Sequence, residues 1–306
     1  MRRLIVMTLL GASLLAACGS STASKPSGGS QNPQARFPVT VTAGNGRVTV
    51  PARPTRIMSL SATATQMLYA MGAGPQVVAV DKYSTDPRKA PRTALTGFET
   101  DPESYVPFHP DLVIIAQTQG TLASQLAGLH ITTLVLPPAA TIGDTYDQFT
   151  QLGLATGHAT AAAAAASSLR SKLDGIVRSI GKRDKGLTYY HEVDPTLYTA
   201  TSHTFIGALY SRLGMVNIAD AAGRGGNDYP QLSAEYLLQA NPDYVFLADV
   251  VCCGQTATSF AKRPGYSILR AVKLRHVFTI PDPIASEWGP RVVDFLQMVA
   301  RDVHSS

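Results

Sequence analysis

The chain carries none of the short motifs that mark the common catalytic machines. There is no Gly-x-Ser-x-Gly elbow, no His-Glu-x-x-His helix, no Walker loop and no Gly-x-Gly-x-x-Gly turn. Gly223-Arg224-Gly225-Gly226 is rich in glycine, but no strand directly precedes it, which argues against a phosphate cradle. Charge is scarce, at 15% of residues. The net +5 is mild and scattered, and two of its charges are Arg2 and Arg3 at the extreme start. No basic cluster is interleaved with aromatics, so nucleic acid is not an expected partner. The apolar stretch at residues 4–15 is too short to span a bilayer. What is present is a chain of 306 residues, 45% hydrophobic, enough for two ordinary domains with real cores.

The start has the form of a secretory signal. Met1-Arg2-Arg3 is basic, residues 4–15 are apolar, and Leu15-Ala16-Ala17-Cys18 places small residues before a cysteine. That last run resembles the bacterial lipobox, which implies a signal peptide over 1–17 and lipid attached to Cys18. Residues 18–36 are rich in Ser, Gly, Pro and Gln with no apolar periodicity, as in a flexible tether. Cys252 and Cys253 then remain, adjacent, in an oxidising compartment. They are read either as a vicinal disulfide or as two free buried thiols. Two sulfurs alone are too few for a soft-metal site.

One unit occurs twice. Asp101-Pro102-Glu103 runs on to Pro110-Asp111 and the apolar Leu112-Val113-Ile114-Ile115; Ser233-Ala234-Glu235 runs on to Pro242-Asp243 and Tyr244-Val245-Phe246-Leu247. Asp101 and Ser233 suit a helix N-cap, and each Glu falls where the helix dipole favours negative charge. Proline stops each helix, and the run after it reads as a strand buried on both faces. Around these units strands alternate with helices, which predicts parallel sheets. Val39, Val41, Val48 and Val50 flank Asn45-Gly46 as a hairpin. Residues 159–180, with six consecutive alanines, predict one helix of about 30 Å. The expected organisation is an N-terminal lobe at 37–157, a bridging helix at 158–182 and a C-terminal lobe at 183–306.

Ligands of open parallel sheets bind outside the carboxyl ends of the strands. The residues expected there are Ser61, Tyr83, Phe98, Glu99, Gln117 and Thr118 in the first lobe. In the second they are His191, Glu192, Asp194, Thr201, Ser202, Asp228, Tyr229, Cys252, Cys253, Glu287, Trp288 and Arg291. This mixture of aromatics and hydroxyls suits a large flat ligand. His191, Glu192 and Asp194 could instead form an acid/base or metal site, the reading of a secreted hydrolase.

With these residues in view, the chain resembles the substrate-binding lipoproteins of ABC importers for metal chelates (iron-siderophore, haem and cobalamin). The likeness covers about residues 53–303. It is carried by Arg56-Ile57-Met58-Ser59-Leu60-Ser61 with Thr65, by the Glu103 to Asp111 unit, and by Tyr229-Pro230-Gln231-Leu232-Ser233-Ala234-Glu235. It implies two α/β lobes bridged by a rigid helix, and a monomer tethered outside the cytoplasm that binds without catalysis or a resident cofactor. It implies that Glu103 and Glu235 dock onto arginines of a membrane permease. Tyr83, Phe98 and Tyr229 fall where cobalamin-binding members line their cleft, although Phe98 and Tyr229 stand where tryptophan is the rule. A corrinoid is therefore the first expectation. A ferric siderophore, for which Arg291 would be the cleft arginine, comes next, and haem, with His191 or a cleft tyrosine on the iron, third.

Overall fold

The computed structural model describes residues 36–98, 101–116, 121–180, 186–223 and 225–304. The signal segment, Cys18 and all of the tether but Arg36 lie outside the described residues, as do Glu99, Gln117 and Thr118.

β1 (Val39–Ala43) and β2 (Gly46–Val50) pair antiparallel as the expected hairpin. The Asn45 side chain fastens the hairpin to the first lobe, donating to Thr133 O at 2.9 Å and accepting from Val135 N at 3.1 Å. The first lobe then alternates β3 (Ile57–Leu60), α1 (Ala62–Ala70), β4 (Val77–Val80), a 3-10 segment (Pro102–Phe108), β5 (Leu112–Ile115), α2 (Leu122–Gly128) and β6 (Thr132–Val135). Its four strands lie parallel in the order β4-β3-β5-β6. α3 (Ile142–Thr156) starts at a capping box between Thr141 and Asp144, earlier than its apolar pattern alone suggests. α4 (Ala159–Ser179) is the alanine-rich helix joining the lobes.

The second lobe holds β7 (Thr188–Glu192), α5 (Phe205–Arg212), β8 (Val216–Asn217), α6 (Ala234–Ala240), β9 (Tyr244–Leu247), α7 (Val250–Cys253), α8 (Ala257–Ala261), α9 (Arg270–Lys273), β10 (Val277–Thr279), α10 (Asp282–Ser286) and α11 (Val292–His304). Its sheet is again parallel, in the order β10-β9-β7-β8. The short helices α7 to α10 escape sequence reading because each is too short to show a period.

The repeated unit shows why its residues recur. After the first helical segment, His109 takes the left-handed conformation, and Asp111 accepts from Thr55 N at 2.7 Å and Arg56 N at 2.9 Å. After α6, Asn241 is left-handed, and Asp243 accepts from Thr188 N and Thr188 Oγ1, both at 2.9 Å. Each carboxylate thus ties the start of a central strand to that of its neighbour. The first unit differs from expectation in being 3-10 rather than α. Pro107 lies inside it, and a residue without an N–H cannot supply the α-helical bond.

Both faces of each sheet are covered. One core unites α1, α3, α4, α5 and α11 with the inner faces of the two sheets, while separate clusters fill the outer face of each. α4 turns Ala162, Leu169 and Leu173 inward. It crosses α3 so closely that a Cβ on Gly153 would stand 2.4 Å from the Ala162 Cβ. Gly153→Ala is expected to lower stability by about 1–3 kcal/mol through overpacking. Ala162→Gly added to it should restore part of that loss in urea melts, less the helix cost of about 1 kcal/mol for the new glycine.

Candidate functional site

Helices cover the faces of the sheets, so the carboxyl edges are where side chains can meet a ligand. Four large aromatics are exposed among the described residues: Tyr83 (54%), Phe98 (65%), Tyr198 (41%) and Tyr229 (50%). All four sit on segments leaving those edges. Tyr83 follows β4 by three residues, and Phe98 lies on the returning segment that bonds Val80 O through Thr93 N and Lys82 N through Leu95 O, both at 2.9 Å. Tyr198 closes a turn just beyond β7, its carbonyl accepting from Val193 N at 2.9 Å. Tyr229 lies on the segment beside it, where Tyr198 bridges Gln231. The sequence pointed to three of these. Tyr198 reads there only as a lead into α5, and its one signal is its place six residues beyond the end of β7.

The two edges meet at one junction. Gln66 of α1 donates through Nε2 to Glu287 Oε2, Thr145 Oγ1 donates to Trp288 O at 2.8 Å, and Trp288 Nε1 donates to Gln148 Oε1 at 2.9 Å. Trp288 therefore wedges the lobes together, half-buried, with its indole N–H already engaged. Burial pushes the Glu287 carboxyl up to about 7. Gln66 and Arg291 work against that shift, and Asp86 and Asp81 add to it from the carboxyl end of β4. Arg291 turns its Nε to Asp294 at 3.1 Å.

Some of the expected ligand residues are enclosed. Ser61 is buried and accepts from Ala64 N at 3.3 Å as the N-cap of α1. Thr201 is fully buried, and Ser202 N is held by Asp220 at 2.8 Å. His191 needs the clearest correction. It is not on an open loop but within β7, buried, with Nδ1 3.0 Å from Tyr210 OH, and burial pushes it down to about 4. A neutral, enclosed imidazole cannot reach a haem iron or a substrate. Glu192 is likewise inside, taking a bidentate pair from Arg263 at 2.6 Å, and Asp194 caps the Thr196 amide at 2.7 Å. The three do not converge, so the hydrolase reading loses its site. Among the described residues no group of three or more His, Cys, Asp or Glu is placed to hold a metal ion.

Glu103 and Glu235 are both exposed, each in the first turn of a helical segment that runs back from the carboxyl edge. The Glu235 amide and the Ser233 hydroxyl hold the Glu235 carboxyl below its ordinary range. Cys252 and Cys253 are joined as a vicinal disulfide at the end of α7.

Beneath that helix lies a buried acid. Asp249 is fully enclosed, and neither carboxylate oxygen finds a donor. Burial, with the neighbouring Glu192 adding to it, pushes its carboxyl up to about 7 from the ordinary 3.8. The folded state thus holds a proton that the unfolded chain releases. The stability this proton brings is full below 3.8 and is lost as pH rises through about 7. Asp249→Asn keeps a donor toward Glu192 without a charge. It is expected to raise Tm by several degrees at about pH 8 and to change it little at about pH 4, as thermal melts across that range would show.

The model of the family described as "Periplasmic binding protein" matches residues 57–284. The chain is 29% identical over 308 residues to the uncharacterized ABC transporter substrate-binding lipoprotein YvrC of Bacillus subtilis, covering 97% of this chain and 95% of that one. It is 30% identical over 281 residues to a cobalamin-binding protein of Halobacterium salinarum, covering 88% and 75%. Among solved structures it is similar to a possible iron-binding, periplasmic solute-binding protein of Staphylococcus epidermidis. That match has a TM-score of 0.72 at 24% identity, over 83% of this chain and 100% of the other. With two parallel-sheet lobes on a shared helical core and aromatics at both carboxyl edges, the chain belongs to the periplasmic binding protein family.

Proposed function

We propose that this protein captures a metal chelate, a corrinoid in the first place, between the carboxyl edges of its two sheets and hands it to the permease of an ABC importer. The observation that carries this reading is the placing of the exposed aromatics. A chain that buries Tyr105, Tyr189, Tyr190 and Tyr210 completely leaves Tyr83, Phe98, Tyr198 and Tyr229 open, two on each lobe, where a flat ligand would be sandwiched. The charge at the junction supports a corrinoid over more acidic chelates. Glu287, Asp81 and Asp86 lie together there, Arg291 is turned to Asp294, and the one cation over an exposed cleft aromatic among the described residues, Lys82 at 5.0 Å from the Tyr83 ring, is beside Asp81. Haem propionates and catecholate siderophores would need cations to neutralise them, whereas the amide-fringed corrin ring does not. The Halobacterium relative, which is named for cobalamin binding, points the same way.

Lipid on Cys18 would keep the protein at the outer face of the cell membrane. Glu103 and Glu235, exposed on the carboxyl-edge side of each lobe, would meet a basic permease surface and set register and encounter rate. Binding would involve no bond making, and the cargo metal would stay with its chelator.

Titration of the purified full-length protein with cyanocobalamin, a ferric siderophore and haem, read by tyrosine and tryptophan fluorescence, tests the ligand. Saturable quenching by cyanocobalamin is expected, weakened about tenfold by Phe98→Ala or Tyr229→Ala. Silence toward all three compounds would remove the reading. Converting both Glu103 and Glu235 to lysine should abolish cellular uptake at unchanged Kd; a matching loss of affinity would count against the docking role.

A further inference from the structure

The turn that follows β9 is built more firmly than a surface connection requires. Ala248 N extends the ladder to Glu192 O at 2.9 Å, Asp249 is buried beneath, and Cys253 N returns to Asp249 O at 3.2 Å. From the side, Asp282 sets one carboxylate oxygen on Val251 N and the other on Cys252 N, both at 2.8 Å. Gly254 closes the turn in the left-handed conformation, φ 67, its amide bonded to Val250 O at 3.0 Å. The amides of the turn are thus occupied, and it turns outward the side chains of Val251, Cys252 and Cys253, all exposed, with the two sulfurs joined. Val251, at 68%, is more open than any of the four exposed aromatics.

Its position in the fold gives this apolar knob a use. Asp282, which holds the turn, is the first residue of α10, and the residue after α10 is Glu287, bonded to Gln66 of the first lobe. Five helical residues span about 7 Å. The knob therefore stands at the carboxyl edge of the second sheet, close to the junction of the lobes and on the rim that carries Tyr198 and Tyr229. A rigid apolar projection loses little conformational freedom when covered, so its burial returns nearly the full hydrophobic gain.

We propose that the Val251-Cys252-Cys253 turn is a preformed apolar contact for the bound chelate, a specificity-determining element of the second lobe. This rests on the chelate-capture reading above and adds to it a part of the wall that no aromatic supplies. The occupant is the chelate itself rather than the permease, because Asp282 ties the turn to α10, and the residue after α10, Glu287, bonds Gln66 of the facing lobe.

The test uses cyanocobalamin as probe on the full-length protein, measuring Kd, Tm and cellular uptake. Val251→Ser is expected to weaken binding about 5- to 10-fold at unchanged Tm, and Val251→Ile to retain wild-type Kd. The Cys252→Ser/Cys253→Ser double variant should weaken binding by a similar factor. If wild type binds and Val251→Ser binds within about twofold of it, the inference falls while the chelate reading stands. If uptake is lost at unchanged Kd, the turn touches the permease and the inference is wrong. If wild type binds no chelate, the chelate reading falls and takes this one with it.

Discussion

Asp111 and Asp243 each hold the backbone at the start of one central strand against the start of the next. The first bonds the Thr55 and Arg56 amides, the second the amide and hydroxyl of Thr188. A parallel ladder has no hairpin to set its register, and a slip of one residue would turn every side chain to the opposite face. With this clamp in place, Ile57 stands beside Leu112 and Tyr189 beside Tyr244, and the inner and outer faces of both sheets are assigned. The same clamp brings the carboxyl ends level, which is the precondition for an edge that several loops can share as a site.

From that register the distribution of polar groups follows. Residues inside the strands are enclosed on both faces, so His191 and Glu192 must find partners within the protein and do so in Tyr210 and Arg263. Asp249, one residue past the ladder, is still enclosed and has the acidic Glu192 as its neighbour, which leaves it a neutral acid over much of the acidic range. Only beyond these positions do side chains reach solvent, and there the chain places tyrosines, a phenylalanine and the disulfide turn. Among the described residues the lobes meet through the polar contacts of Gln66 with Glu287 and of Thr145 and Gln148 with Trp288, beside a shared apolar core.

The sequence by itself determined the alternation of strands and helices, the alanine-rich connection, the caps at Asp101 and Ser233, and the family resemblance. Each of these rests on interactions between residues close in the chain, or on a period that survives without knowing the partner. The short helices α7 to α10 and the exposure of Tyr198 were not legible, since a single turn has no period and exposure depends on what packs from afar. Tertiary structure alone decided that His191, Glu192 and Asp194, neighbours in sequence, point to three different environments. It also decided that Asp282, 30 residues from Cys252, holds the turn carrying the disulfide. Burial and long-range hydrogen bonds depend on which segments meet. In this chain that is set by two sheets closing on one helical core, which no local pattern records.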